Sequence, residues 1–572
     1  MAKKWRDDAV YGALIFFCAI LLGWLLISSS AAEANVVRVL LTRLNLTDQM
    51  TVSLDGHYSI GSLTFQRGAQ IKLSCASGQI ILYYEGMAQN LSDEAVLIRH
   101  TGTDERENGL RVNGDYSLYC GDMHITVQDG QLSAVLYIPV EEYLLGVVPY
   151  EMNDSFPLEA LKTQAVAART YAMRRIGANG RYDLVDNTND QVYKGYQKEN
   201  INAAKAVLET AGICGFDKNA FANCYYTASN GGQVEVPEHV WGKADGNDYI
   251  TMHADPYDVE NPESVVRKAE IAKAPINGIV GNDALTEAIK LQLTEQLAAM
   301  GYTGETEDII ITAVNGVEMR EPVSNDGTLV MKKMRLSLSV KARRIASQAM
   351  MEDEEMSIFM TEKPAQTPRP AVTVGPWIQV EDALLVDIPY FSCAEPLLNL
   401  SINGTNNEIV TVEESDKAFT IAARRYGHGV GMSQRGAQCM AANYSWTYEQ
   451  ILRFYYPGME LRKINTTAVL PSPIAADYLT TPGPAATPTP RPTLMPVTET
   501  VKTGEWRVKV TQIGVNSSLN LRSAPSVEAE VIRLLYYGQE LIVMERVDED
   551  WLRVRTDVME GYVMEKFCEK IQ

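Results

Sequence analysis

Glu151 sits in the stretch PVEEYLLGVVPYEMNDSFPLEALKTQAVAARTY (residues 139–171), between two runs with helical spacing and beside Tyr150, Met152 and Phe156. A carboxyl held among apolar groups keeps its proton longer, because desolvation disfavours the charged form. That is how a general acid for near-neutral pH is made. The competing reading is a helix-terminal Glu that faces water. A second candidate is His428, set in Gly427-His428-Gly429-Val430-Gly431-Met432-Ser433-Gln434. Three glycines let the backbone approach a ligand or adopt positive φ. Ser433 then reads as a helix N-cap, so the loop and helix start form a polar cradle. A lone histidine among glycines also has a purely structural reading. The chain has six histidines, and no H-E-x-x-H or H-x-x-E-H pair occurs.

These residues need elements to position them. The spacing predicts a helix over 140–148 that stops near Pro149. A second helix is predicted from near Ser155, with Pro157 and Glu159 in its first turn. Leu158, Leu161, Ala165, Ala168 and Ala172 recur at helical spacing and predict one buried face, with Arg169 beside the stripe. A helix N-terminus near Glu151 would lower its pKa and oppose the acid role. Upstream, residues 36–137 read as short strands, with turn signals at Asp55-Gly56, Asn113-Gly114 and Asp129-Gly130. Downstream, CYYTASNGGQVE (224–235) reads as a strand entering a turn, and 286–300 as an amphipathic helix. Strand-like stretches follow around 309–340 and 384–421, separated by a Pro-rich segment at 363–376. Thr447-x-x-Gln450 is a capping-box pattern that opens a short helix ending at Pro457-Gly458.

A chain of 572 residues is too long for one core and implies about three or four units. Its net charge of −21 excludes a nucleic-acid binder, which would carry a basic footprint. Lys3, Lys4 and Arg6 precede an apolar run from Ala9 to Ile27, long enough to cross roughly 30 Å of hydrocarbon. The expectation is a single-pass cell-membrane anchor with its N-terminus in the cytoplasm. The alternative is a signal peptide cleaved near Ala32-Glu33-Ala34, giving a secreted protein. Either way the rest of the chain is extracytoplasmic. The eight cysteines include no C-x-x-C pair; Cys214 and Cys224 are spaced either to bridge a hairpin or to remain buried thiols. Residues 466–503 are rich in Pro, Thr and Ala and read as a semi-stiff linker. Residues 504–572 read as a separate unit of short strands, a small barrel.

Four blocks in this order resemble the sporulation stage II protein D / amidase-enhancer family of bacterial cell-wall proteins. They are VPYEM…FPLEALKTQAVAARTYA, DNTNDQVYKGY (186–196), YYTASNGGQVE, and GHGVGMSQRGAQCMA…TYEQILRFYYPG. The resemblance covers about residues 136–462. It implies a lytic transglycosylase that cuts peptidoglycan between N-acetylmuramic acid and N-acetylglucosamine and leaves a 1,6-anhydro end. In sporulating members it acts on strands already stripped of stem peptides, during engulfment. The family's catalytic Glu falls on Glu151, acting as acid and then as base, with Glu141, Glu142 and Glu159 left open as further carboxyls. The expected sugar-contacting or supporting groups are Gln164, Arg169, Tyr171, Gln191, Tyr226, Ser229, His428, Ser433 and Gln434; for Arg169 a buried ion pair is the alternative. Some members hold zinc through His and Cys before the Gly-Gly of the third block. Thr227 and Asn230 stand at those places here, so neither metal nor cofactor is expected.

The segment between Asp258 and His428 is longer than the family pattern and implies an insertion at about 259–377. The C-terminal unit resembles a bacterial SH3-like domain through SSLNLRSAPS (517–526), Gly538, Trp551 and Gly561-Tyr562-Val563. That domain would bind wall or serve as a spacer, and Trp551 is expected in its core. The expected fold is thus α+β: an anchor at 1–35, a β-rich part at 36–137, a mixed catalytic domain at 138–465, the linker, and an all-β SH3-like barrel. The expected partners are glycan strands and, beyond them, a cell-wall amidase or the proteins of a membrane complex. A non-catalytic amidase enhancer and a wall-binding scaffold are the alternatives.

Overall fold

The computed structural model describes residues 35–100, 108–178, 180–242, 248–274, 283–345, 374–466, 505–511, 518–527, 529, 531–536, 540–548, 550–556 and 560–571. The expected anchor at 9–27 and the linker from 467 to 503 lie outside these residues. Among the described residues, no helix is long and apolar enough to cross a membrane. The chain divides into two units, 1–480 and 481–572.

The fold is mixed α+β. Its β-rich start forms two sheets. The larger has the order Leu184–Val185, Val36–Leu40, Gln131–Pro139, Asp122–Gln128, Glu94–His100, His57–Ile60 and Leu63–Phe65. Strand Gln131–Pro139 alternates buried and half-exposed residues along its length, the signature of a strand with one face on a core. The Asp129-Gly130 turn joins it to Asp122–Gln128 with φ of 49° and 76°, the left-handed pair that a two-residue hairpin requires.

Strand Gln131–Pro139 runs directly into helix Val140–Leu145, which ends at Gly146 rather than continuing to 148. Pro149 starts the next helix instead of stopping the first: it occupies the first turn of Val148–Glu151, where its missing N–H costs nothing. The long helix Leu158–Arg175 is capped by Pro157, not Ser155, whose N–H donates to Asn153. It is buried all round: residues 163–173 are all inaccessible, not only the expected stripe. Helices Ile201–Glu209, Gln434–Tyr444 and Tyr448–Tyr455 pack against it, and five alanines among residues 160–172 allow that close approach.

A second hydrophobic core spans Ile271 to Ala423. Helix Asp283–Ala299 buries Leu285, Ile289, Leu293 and Leu297 at four-residue spacing. They pack among residues of the long hairpin Ile309–Pro322/Met331–Ile345 and of strand Leu384–Pro389. Residues 374–376 of the Pro-rich segment open strand Val374–Gln379 on the same sheet. Strands Val266–Ala272 and Ala418–Arg424 pair antiparallel and root this module beside the His428 loop.

The C-terminal unit is an all-β sheet in the order Val531–Tyr536, Ser518–Arg522, Glu560–Met564, Trp551–Arg555, Glu540–Arg546, Trp506–Val510 and Cys568–Ile571. Val508, Val510, Leu521, Leu541, Val543, Leu552, Val554 and Val563 form its core. Trp551 is buried.

Candidate active site

Glu151 closes the short helix Val148–Glu151 at the edge of a groove of about 1000 Å³. The Val192 N–H donates to its Oε1 at 2.8 Å, and Gln434 Nε2 lies 3.5 Å from its Oε2. Burial raises the Glu151 pKa above the ordinary carboxylate value, while the hydrogen bonds from Val192, Gln434 and Tyr226 oppose that rise. Burial prevails, as a general acid requires.

The opposite side is brought in by a parallel pairing of Tyr226–Thr227 with Met432–Ser433, which joins two sequence blocks some 200 residues apart. His428 lies in the loop before that strand. Its Nδ1 accepts the Val430 N–H at 3.0 Å, and burial next to Arg425 lowers its pKa to about 4. A neutral imidazole therefore faces the groove. The glycines around it are required: Gly427, Gly429 and Gly431 all have positive φ, and a Cβ on Gly431 would come within 2.2 Å of the Tyr225 carbonyl oxygen.

Glu151, Tyr226, His428 and Gln434 line the groove. Gln164, Gln191 and Tyr171 stand one hydrogen bond behind it. Gln164 Oε1 accepts from Gln434 at 3.3 Å; Gln191 Nε2 donates to the Tyr226 hydroxyl at 3.1 Å; and Tyr171 donates to groove residue Asp190 at 3.2 Å. Arg169, Ser229 and Ser433 do not reach it. Arg169 is fully buried in a two-pronged pair with Glu141, at 2.9 and 2.7 Å, and also donates to the carbonyls of Val207 and Ile213. Ser229 and Ser433 both donate to Asp258, and Ser433 caps helix Gln434–Tyr444 through the Gly436 N–H.

None of Glu141, Glu142 and Glu159 lines the groove. Glu141 pairs with Arg169, Glu142 with Arg99, and Glu159 with Lys162. The groove carboxyls besides Glu151 are engaged: Asp190 lies 3.5 Å from Arg175, and Glu235 bonds Arg425 and His239. Asp190 belongs to the block DNTNDQVYKGY, where nothing in its spacing marks it as chemical. Trp241, His239 and the Asn403–Asn407 turn, which also line the groove, carry no chemical motif; only the folded chain brings them there.

Thr227 donates to the Tyr426 carbonyl and Asn230 to Asp255, so neither supplies the imidazole or thiolate that zinc needs at these places. Cys214 and Cys224 are buried free thiols, and burial pushes Cys214 up to about 12; the bridged alternative is not formed. Beneath the groove, Asp255 accepts from Tyr455 and Asn230 beside Asp258, and burial with that neighbouring carboxyl pushes it up to about 7. A carboxyl raised in the folded state stabilises fully below its unfolded pKa, and that contribution is lost as pH rises through the folded value. Thermal melts should therefore show this contribution being lost between about pH 4 and 7, and Asp255→Asn should flatten the dependence.

Two regions match known families: residues 128–214 match the Stage II sporulation protein family, and residues 517–567 match the bacterial SH3 domain. The chain carries a stage II sporulation protein D domain and a bacterial SH3 domain. The first match contains Glu151, Gln164 and Gln191, while Tyr226 and His428 lie beyond it. The chain is 24% identical over 437 residues to an uncharacterized protein of Brachyspira hyodysenteriae, covering 76% of this chain and 95% of that one. It is 29% identical over 323 residues to a Bacillus subtilis protein named amidase enhancer, covering 56% of this chain but 40% of that protein. It is 24% identical over 366 residues to stage II sporulation protein D of Bacillus subtilis, covering 61% of this chain and 81% of that protein.

Proposed function

We propose that this chain is a peptidoglycan lytic transglycosylase working outside the cytoplasm, held to the cell membrane by its N-terminal apolar run. The observation that carries the reading is Glu151. Among the described groove residues it is the carboxyl with no cationic partner, and burial raises its pKa. Protonated Glu151 gives its proton to the glycosidic oxygen, and the C1–O bond of N-acetylmuramic acid breaks with departure of the N-acetylglucosamine hydroxyl. The muramoyl 6-hydroxyl then bonds to C1, and the Glu151 carboxylate takes its proton. The products are a 1,6-anhydro end and a free 4-hydroxyl, no water is consumed, and Glu151 returns to its starting state. One carboxyl suffices, unlike the two that a hydrolase needs at fixed separation. The Val192 N–H and Gln434 orient the carboxyl and stabilise it in its anionic phase. His428 is neutral and its Nδ1 is taken by the Val430 N–H, so its Nε2–H can only donate a hydrogen bond, without adding charge.

The SH3 domain is proposed to hold the wall near the catalytic unit. Because it shares one chain with the catalytic unit, such a module raises the effective concentration of strands. A second reading follows from the relative named amidase enhancer: glycan binding without cleavage, stimulating a separate amidase. The full chain incubated with glycan strands free of stem peptides separates the two. Mass spectrometry should find anhydro-terminated fragments. Absence of such fragments, with faster turnover by an added amidase, would establish the enhancer.

A further inference from the structure

The inserted module reaches the groove at two points, and both contacts are polar. The tip of its long hairpin (323–330) is fixed by Gln233, which donates to the Gly327 carbonyl at 2.9 Å and accepts the Leu329 N–H at 2.8 Å. His239 bonds Asp326 at 2.6 Å and Ser324 at 3.2 Å. The second contact is the turn around Asn403–Asn407. Glu408 accepts the N–H groups of Ile402, Asn403 and Asn407, while the Asn403 and Asn407 amides donate to the Gly427 carbonyl, next to His428. The module thus supplies a preorganised outer wall to the groove that holds Glu151.

Outside the module, two residues after the latched His239, Trp241 ends helix Pro237–Trp241 and lines the same groove. It is a groove-lining indole that remains 43% exposed, backed by the Tyr225 ring at 4.8 Å and the His428 ring at 5.2 Å. An indole held by two rings and open on its remaining surface is a rigid apolar platform. Asn406 lines the same groove, exposed, at the left-handed tip of the turn (φ 56°), with its neighbours Asn403 and Asn407 spent on holding the loop. The groove's Arg425 is buried against Glu235, and His239 is held between two carboxylates. A flat apolar face, an exposed amide and, among the described groove residues, no unpaired arginine or lysine suit an uncharged N-acetylated sugar better than an anionic ligand.

We propose that the inserted module completes a sugar subsite in the groove, in which Trp241 stacks on an N-acetylhexosamine ring and Asn406, from the module's turn, hydrogen-bonds its polar edge. The inference rests on the glycan reading above. The subsite makes Trp241 a specificity-determining residue, because it binds sugar without touching the reacting atoms.

The test is hydroxyl-radical footprinting of the full-length Glu151→Gln chain, read residue by residue by mass spectrometry, with and without a peptide-free glycan tetrasaccharide. Oxidation of Trp241 should slow about 5-fold on adding glycan, the behaviour of a stacked, covered ring. In the otherwise wild-type chain, Trp241→Ala should raise KM about 10-fold and Asn406→Ala a few-fold, with Trp241→Phe restoring most of the loss and melting temperatures unchanged. Protection of Tyr150 and Tyr226 with Trp241 still freely oxidised would overturn the subsite and leave the glycan reading intact. No protection anywhere in the groove would overturn both.

Discussion

Glu151→Gln is expected to reduce release of anhydro ends by at least about 10³-fold, since one group serves as both acid and base and such proton transfers contribute roughly 10²–10⁴ each. Gln keeps the shape and can still accept the Val192 N–H, so the groove should persist and glycan binding survive. Stability supplies the control. The folded protein raises the Glu151 pKa by burying it, so its charged form destabilises the fold at pH values above that raised pKa. Replacing it by a neutral amide removes this penalty. Melting curves should show the variant at least as stable as wild type at neutral pH. The difference should vanish below the usual carboxylate range, where Glu151 is protonated in both folded and unfolded states. A variant that loses activity because it melts would break this pattern.

The second large effect is structural. Arg169→Met should cost about 3–5 kcal/mol, because it leaves Glu141 as an uncompensated buried charge. The cost is raised by the Val207 and Ile213 carbonyls, which lose their donor. Glu141 also accepts the Gly212 N–H, so the pair ties the first helix, the central helix and the turn at 210–213 together. Urea unfolding measures the loss. Glu141→Leu combined with Arg169→Met should recover part of it, since two apolar groups bury more cheaply than one stranded ion. At a temperature where the single variant is folded, its KM for glycan should match wild type. A raised KM would return Arg169 to the sugar-contacting group.

What could be read before folding follows from how local each determinant is. The Asp129-Gly130 hairpin, the Ser433 N-cap and the Thr447/Gln450 capping box all formed as their residues dictate, since each is decided within a few positions. The helix around Pro149 did not: Gly146 ends one helix early, and a proline that stops one helix is equally suited to begin another. The all-round burial of helix Leu158–Arg175 was hidden because Arg169, Gln164 and Thr170 look like an exposed face until their buried partners are known. Ser229 and Ser433 were visible as polar residues in the right blocks, yet Asp258, the acceptor they share, lies elsewhere in the chain. The module between strands Val266–Ala272 and Ala418–Arg424 was legible as excess length, one amphipathic helix and two strand-like stretches. That its hairpin tip and Asn403–Asn407 turn wall the groove is a property of three-dimensional closure.

In the proposed mechanism a single carboxyl, Glu151, drives cleavage by intramolecular closure and not by water. Cleavage of glycan strands in water enriched in oxygen-18 tests it most directly, with the new ends weighed by mass spectrometry. The account predicts ends lighter by one water than a reducing sugar and free of the label. Reducing ends carrying oxygen-18 would contradict it, and would require a second carboxylate to activate water.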